Sequence, residues 1–246
     1  MNKGLRYLSN YLLQHRIKSW LQRCPKLYIN LQLFRYRGQR YQRKIVTSNT
    51  DIVIEGFPRS ANSFSVKAFK FANGEDTYKI ATHLHAYPQI VMGVKYKIPT
   101  LVLVREPFAC IASYAALRAQ NYGVNKFNRG HNIKWLLDDY VNFYEALLPY
   151  KSEVCVAHFK EVLEDYGQVL KNLNIRYGTS FKEFEHTPEN VETVFSSAKE
   201  HLSPSKKRDD IKNLYVKELE GLRETKAFRR AEELYQIWLN ESKLDG

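Results

Sequence analysis

Apolar positions along this chain follow two rhythms. Short, nearly continuous runs occur at Ile52–Ile54, Pro99–Val104 and Glu153–His158, with a further strand-like run from Tyr78 to His83. Runs of that length, rich in Val, Ile and Leu and bounded by Gly, Pro or polar residues, predict strands buried on both faces. Between and after them, apolar residues recur at helical spacing. That spacing predicts helices over 62–72, 86–97, 107–119, 133–149, 160–173, 188–199, 206–222 and 225–239. Strands that alternate with helices imply an α/β fold: an open, mainly parallel sheet with helices on both faces. Residues 120–132 break both rhythms; they are polar and rich in Gly and Asn, and predict a long loop placed near a substrate.

The first 48 residues behave differently and predict a basic N-terminal arm extending one α/β domain over 49–246. Leu5, Leu8 and Leu12 share one helical face, and Leu13, Ile17, Trp20, Leu21 and Cys24 continue an apolar side among Arg16, Lys18, Arg23 and Lys26. Residues 1–50 hold 11 Lys/Arg and no acid, whereas the rest of the chain is near balance, with 27 Lys/Arg against 26 Asp/Glu. Of the formal net charge of +12, +11 therefore belongs to the arm. A basic amphipathic helix suits an anionic membrane surface, an acidic glycan, or simple packing on the domain with a solvated face. No run approaches the roughly 20 apolar residues of a spanning helix, and no signal-peptide core is present. Cys24, Cys110 and Cys155 lack metal spacing, and the latter two sit in apolar segments as buried thiols. The expected location is cytoplasmic, with the arm within reach of a membrane.

The chemistry concentrates where strands end. After Ile52–Ile54 comes Glu55-Gly56-Phe57-Pro58-Arg59-Ser60-Ala61-Asn62-Ser63-Phe64, the order of strand, tight loop and helix start. Such a loop aims backbone amides and a helix dipole at an anion. Arg59 adds a forked cation, and Ser60, Asn62 and Ser63 add side-chain donors and candidate caps. After Val104 comes Arg105-Glu106-Pro107, with Ser113-Tyr114 two turns into the next helix. An Arg and a hydroxyl make a second anion site. Thr82-His83 ends the third strand, and His85 shares its face if the strand continues that far. The Walker ending Gly-Lys-Ser/Thr is missing, which disfavours magnesium-dependent nucleotide chemistry.

Taken together, Pro58-Arg59-Ser60-Ala61-Asn62-Ser63-Phe64, Thr82-His83 and Arg105-Glu106-Pro107 with Ser113-Tyr114 resemble the motifs of the PAPS-dependent sulfotransferases (PAPS is 3′-phosphoadenosine 5′-phosphosulfate). The Arg and Phe of the first motif are similar to the carbohydrate branch. The resemblance covers roughly residues 51–160 and implies a P-loop NTPase-like fold and sulfuryl transfer from PAPS, without a metal, to a hydroxyl, most simply on a carbohydrate. It implies Arg59 as the cation at the leaving oxygen and His83 as general base, with His85 as rival. It also implies Arg59, Ser60, Ala61, Asn62 and Ser63 on the 5′-phosphate, Phe64 against adenine, and Arg105 and Ser113 on the 3′-phosphate. Lys206 and Arg208, in the basic turn Ser203–Arg208, would close over the nucleotide. Ala61 stands where the family has Gly and Ala81 where some members have Lys, so the loop backbone at 61 is expected to avoid positive φ. The alternatives are a phosphotransferase of the same fold, a nucleotide-binding relative without turnover, and a nucleic-acid or membrane binding protein. No specific nucleic acid is expected as partner.

Overall fold

The computed structural model describes residues 17–122, 132–197 and 206–242. Four parallel strands form an open sheet: β1 (Ile52–Gly56), β2 (Ile80–Ala81), β3 (Thr100–Val104) and β4 (Cys155–His158), in the spatial order β2-β1-β3-β4. Pairing is in register from Val53↔Thr100 to Gly56↔Leu103 and from Leu101↔Cys155 to Val104↔His158. The chain is α/β, as its pattern predicts.

Side chains along the strands alternate between two cores. Val53, Val102, Val104 and Val156 enter one, and Ile52, Ile54, Leu101, Leu103, Cys155 and Ala157 enter the other. This is the period of two that a pleated strand imposes. The first core receives α1 (Pro25–Arg35), α3 (Tyr87–Lys95), α4 (Pro107–Tyr122), α5 (Asn132–Glu145), α9 (Lys206–Glu220) and α10 (Lys226–Ser242). The second receives α2 (Asn62–Asn73), α6 (Phe159–Glu164), α7 (Tyr166–Tyr177) and α8 (Pro188–Ser196). Helices therefore cover both faces.

Two expectations change. The helix predicted over 160–173 is two helices, α6 and α7. Asp165 breaks it by accepting from Gln168 N at 3.0 Å, and Gly167 lets the new helix approach Phe184 O, which a Cβ would meet at 2.4 Å. β2 holds two residues rather than reaching His83, because the backbone turns into positive φ at His83 and again at His85. The described part of the arm packs on the domain, one of the arrangements expected for it. Tyr28, Ile29, Ile45 and Val46 are buried in the first core, and α1 lies against α3. Leu5, Leu8, Leu12 and Leu13, and most of the predicted loop at 120–132, lie outside the described residues.

Candidate functional site

β1 and β3 are neighbours, yet the helices that follow them leave to opposite faces, α2 to one core and α4 to the other. Two adjacent loops that part in this way open a crevice at the carboxyl edge of a parallel sheet, which is where such sheets bind ligands. Gly56 ends β1 so close to β3 that a Cβ would meet Leu103 O at 2.4 Å. Both loops thus leave from nearly one point.

The two loops are bonded to each other. Arg105 Nη1 donates to Arg59 O at 2.8 Å, and Arg59 Nε donates to Ser113 Oγ at 3.0 Å. Arg105 lies with its guanidinium 3.8 Å from the centre of the Phe159 ring, a cation–π contact. Burial pushes the Arg105 pKa down from its ordinary value, with Cys110 and Glu106 opposing the shift. The predicted members Arg59, Arg105 and Ser113 therefore converge. A guanidinium carries five donors, so one bond to a carbonyl does not exhaust it.

The 57–62 loop is held from beneath by side chains expected to face the ligand. Ser60 is fully buried, with Oγ 3.5 Å from Tyr144 Oη and 3.7 Å from Cys110 Sγ. Asn62 is buried and donates from Nδ2 to Phe57 O at 3.0 Å, and Cys110 Sγ donates to Pro58 O at 3.2 Å. Burial raises the Cys110 pKa to about 11, so the thiol stays protonated as this clamp requires. The Ser60 and Asn62 side chains therefore brace the loop, as does the Ser60 amide, which donates to Phe57 O at 3.2 Å. Phe64 is likewise core: it packs edge-on against Tyr166 and Phe184 and tilted against Phe195. It offers no face for a base to stack on.

The reason is a reversal at Ala61. Contrary to expectation, Ala61 has φ 69° and Arg59 φ 75°, both left-handed. Each such residue costs about 1–2 kcal/mol without glycine. Ala61 is also the N-cap of α2, where its methyl caps nothing. The first-turn amides of Asn62, Ser63 and Phe64 have no intrahelical acceptor. At α4, by contrast, Glu106 takes that role itself, accepting from Phe108 N at 2.8 Å and Ala109 N at 2.7 Å. Of the two helix starts, α2 is the one that no side chain caps, an arrangement that suits an anion.

His83 stands at the same edge. Its Nε2 is 3.1 Å from Ser63 Oγ and its Nδ1 is 2.9 Å from Thr82 Oγ1, while Tyr41 Oη donates to its carbonyl. His85 lies alongside, with ring centres 5.6 Å apart, but serves another partner. Its Nδ1 is 3.2 Å from Glu55 Oε1 and 3.0 Å from Gly56 O.

Sequence reasoning gave Glu55 no role. It is fully buried and accepts from Gly56 N at 3.1 Å, Leu84 N at 2.8 Å, His85 N at 3.2 Å and Gln89 Nε2 at 3.0 Å. Burial pushes its carboxyl up, but the His85 charge and hydrogen bond, His83 and the Gly56 amide together hold it below its ordinary value. Burial pushes His85 down, and Glu55 overrides it and raises it. Glu55 was findable: one carboxylate interrupts an otherwise apolar strand, at the position that faces the same core as Val53.

Lys206 and Arg208 begin α9, but their side chains, like Ser203–Ser205, lie outside the described residues. Among the described residues no helix is long and apolar enough to cross a membrane, and no group of three or more His, Cys, Asp or Glu is placed to hold a metal. Comparison with protein-family models, curated proteins and solved structures finds no match.

Proposed function

We propose that this chain is a PAPS-dependent sulfotransferase acting on a hydroxyl, most simply of a carbohydrate. The observation that carries the reading is the convergence of Arg59, Arg105 and Ser113 with the open first turn of α2 at one sheet edge, beside His83. The donor set suits a nucleotide with two separate phosphates: amides and Arg59 for one, Arg105 and Ser113 for the other. When bound, the donor supplies a sulfur atom whose bond to the 5′-phosphate oxygen breaks as the acceptor oxygen attacks. The electron pair stays on that phosphate, where Arg59 offsets the growing charge.

His83 is the residue to take the acceptor proton. With its own proton on Nδ1 and given to Thr82 Oγ1, its Nε2 stays basic and faces the start of α2. His85, protonated beside Glu55, has no lone pair to offer at the shared nitrogen and serves instead to hold the segment.

A thermal-shift titration tests the reading. Adenosine 3′,5′-bisphosphate at about 100 times its dissociation constant adds roughly 2.7 kcal/mol. AMP and Mg-ATP are expected to add much less, and Arg105→Ala to abolish the bisphosphate shift. A preference for Mg-ATP would instead favour a phosphotransferase. With labelled PAPS, Arg59→Ala is expected to slow turnover about 10²- to 10³-fold.

A further inference from the structure

A different surface, independent of the nucleotide reading, lies on the basic arm. Among the described residues α1 is packed on one side: Tyr28 and Ile29 are buried, and Leu33 is packed against the same core. The opposite side carries Leu27 (47% exposed), Leu31 (41%) and Phe34 (76%). These positions are four and three residues apart and form one stripe along the helix. Trp20, 63% exposed, and Ile17, 47% exposed, add two more large apolar side chains in the helical segment just before α1.

What surrounds the stripe decides its partner. Lys18, Arg23, Lys26, Arg35 and Arg37 are all exposed, and no acid occurs before Asp51. A second copy of the chain would bring cation against cation. A polyanionic glycan would answer the charges but leave the apolar side chains in water. An anionic bilayer answers both, since it takes apolar groups at the acyl boundary and attracts Lys and Arg at the headgroups. α1 has 11 residues, far short of a span, so it would lie in the interface.

We propose that the face formed by Trp20, Leu27, Leu31 and Phe34 with Lys26 and Arg35 docks on an anionic membrane surface. The packing of α1 and the segment after it ties that face to the candidate site. Thr82 N donates to Lys44 O at 2.9 Å, and Tyr41 Oη donates to the carbonyl of His83. Docking would thus hold the His83 wall in fixed relation to the bilayer.

The test is co-sedimentation of the full chain with vesicles of phosphatidylcholine alone and with about 30 mol% phosphatidylserine added. Strong partition into the anionic vesicles only, weakened by salt, is expected. Phe34→Ser with Leu31→Ser should cut it at least about tenfold, and Lys26→Gln with Arg35→Gln roughly fivefold per cation removed. All four side chains are exposed, so melting temperatures should stay unchanged. Trp20→Phe should remove a fluorescence blue shift seen on adding anionic vesicles. No partition at low salt overturns the proposal, as does partition that survives both double variants. Self-association abolished by Phe34→Ser, without vesicle binding, assigns the stripe to a second copy and overturns it. Retention on heparin that Phe34→Ser leaves intact, without vesicle binding, overturns it in favour of a glycan.

Discussion

Glu55 is fully buried and yet held as a carboxylate, so its surroundings must supply what water would. Three backbone amides, the Gln89 side chain and the His85 imidazolium do so. Both partners of the pair carry a pH consequence. Glu55 has its folded pKa below the ordinary 4.5, so its contribution is complete above that value and is lost as pH falls through the folded pKa. His85 has its folded pKa above the ordinary 6.5, so its contribution is complete below that value and is lost as pH rises through the folded pKa. The pair therefore stabilises most between those two values. Glu55→Gln is expected to cost about 3 kcal/mol there and less on either side, because it removes the buried carboxylate that pairs with the half-buried His85 cation. Urea titrations at several pH values check this; a cost that is the same at every pH would mean that the pair is not ionised. The residue types at 59, 63, 83, 105 and 113 were legible, since cations and hydroxyls after apolar runs are conspicuous. The direction in which Ser60, Asn62 and Phe64 point was not, because it follows from φ at Arg59 and Ala61, which no composition reveals.

At the scale of elements, the loop between β1 and α2 is the decisive piece. It carries two left-handed residues without glycine, and strain of that kind persists only where the surroundings over-determine the backbone. Asn62, Cys110 and Ser60 are those surroundings. The expected consequence is a sharp dependence on the side chain at 61. Ala61→Gly relieves about 1–2 kcal/mol of strain but removes a buried methyl worth about 0.8 kcal/mol and frees the unfolded chain. Its net effect should lie within about 1 kcal/mol of zero. Ala61→Val adds β-branching at positive φ and should lose more than about 2 kcal/mol. Chemical denaturation of the two variants decides the matter, and a well-tolerated valine would mean that the loop is not held left-handed. The helix start was legible from Ser60, Asn62 and Ser63 close together, but the cap fell on Ala61 between them rather than on a polar neighbour. The strand before His83 was overextended for a related reason. Periodicity sees side-chain types and misses a backbone that turns left-handed at a histidine, a residue enriched in that region.

At the scale of the molecule, the arm from Ile17 onward and the domain form one body among the described residues. Tyr28, Ile29, Ile45 and Val46 are buried with the strands. Each fully buried apolar side chain is worth about 1.5–3 kcal/mol, and the total stability of a domain is only about 5–15 kcal/mol. Deleting residues 17–46 is therefore expected to unfold the protein, with loss of a cooperative thermal transition; a truncated chain that melts as the full chain does would show the arm to be dispensable. Surface substitutions, and not truncation, are the means of probing the arm. The sequence by itself determined the α/β class, the parallel strands, the cations and hydroxyls carried by two loops and the basic character of the first 50 residues. These are local properties, written in spacing, composition and charge. Only the tertiary structure decided which groups meet. It joined Arg59 to Arg105 and Ser113, buried Glu55 against His85, left His83 facing Ser63 and folded one side of the arm into the core while exposing the other. Those outcomes depend on strand order, on the sign of φ at a few residues and on contacts between segments far apart in the chain, which local pattern does not encode.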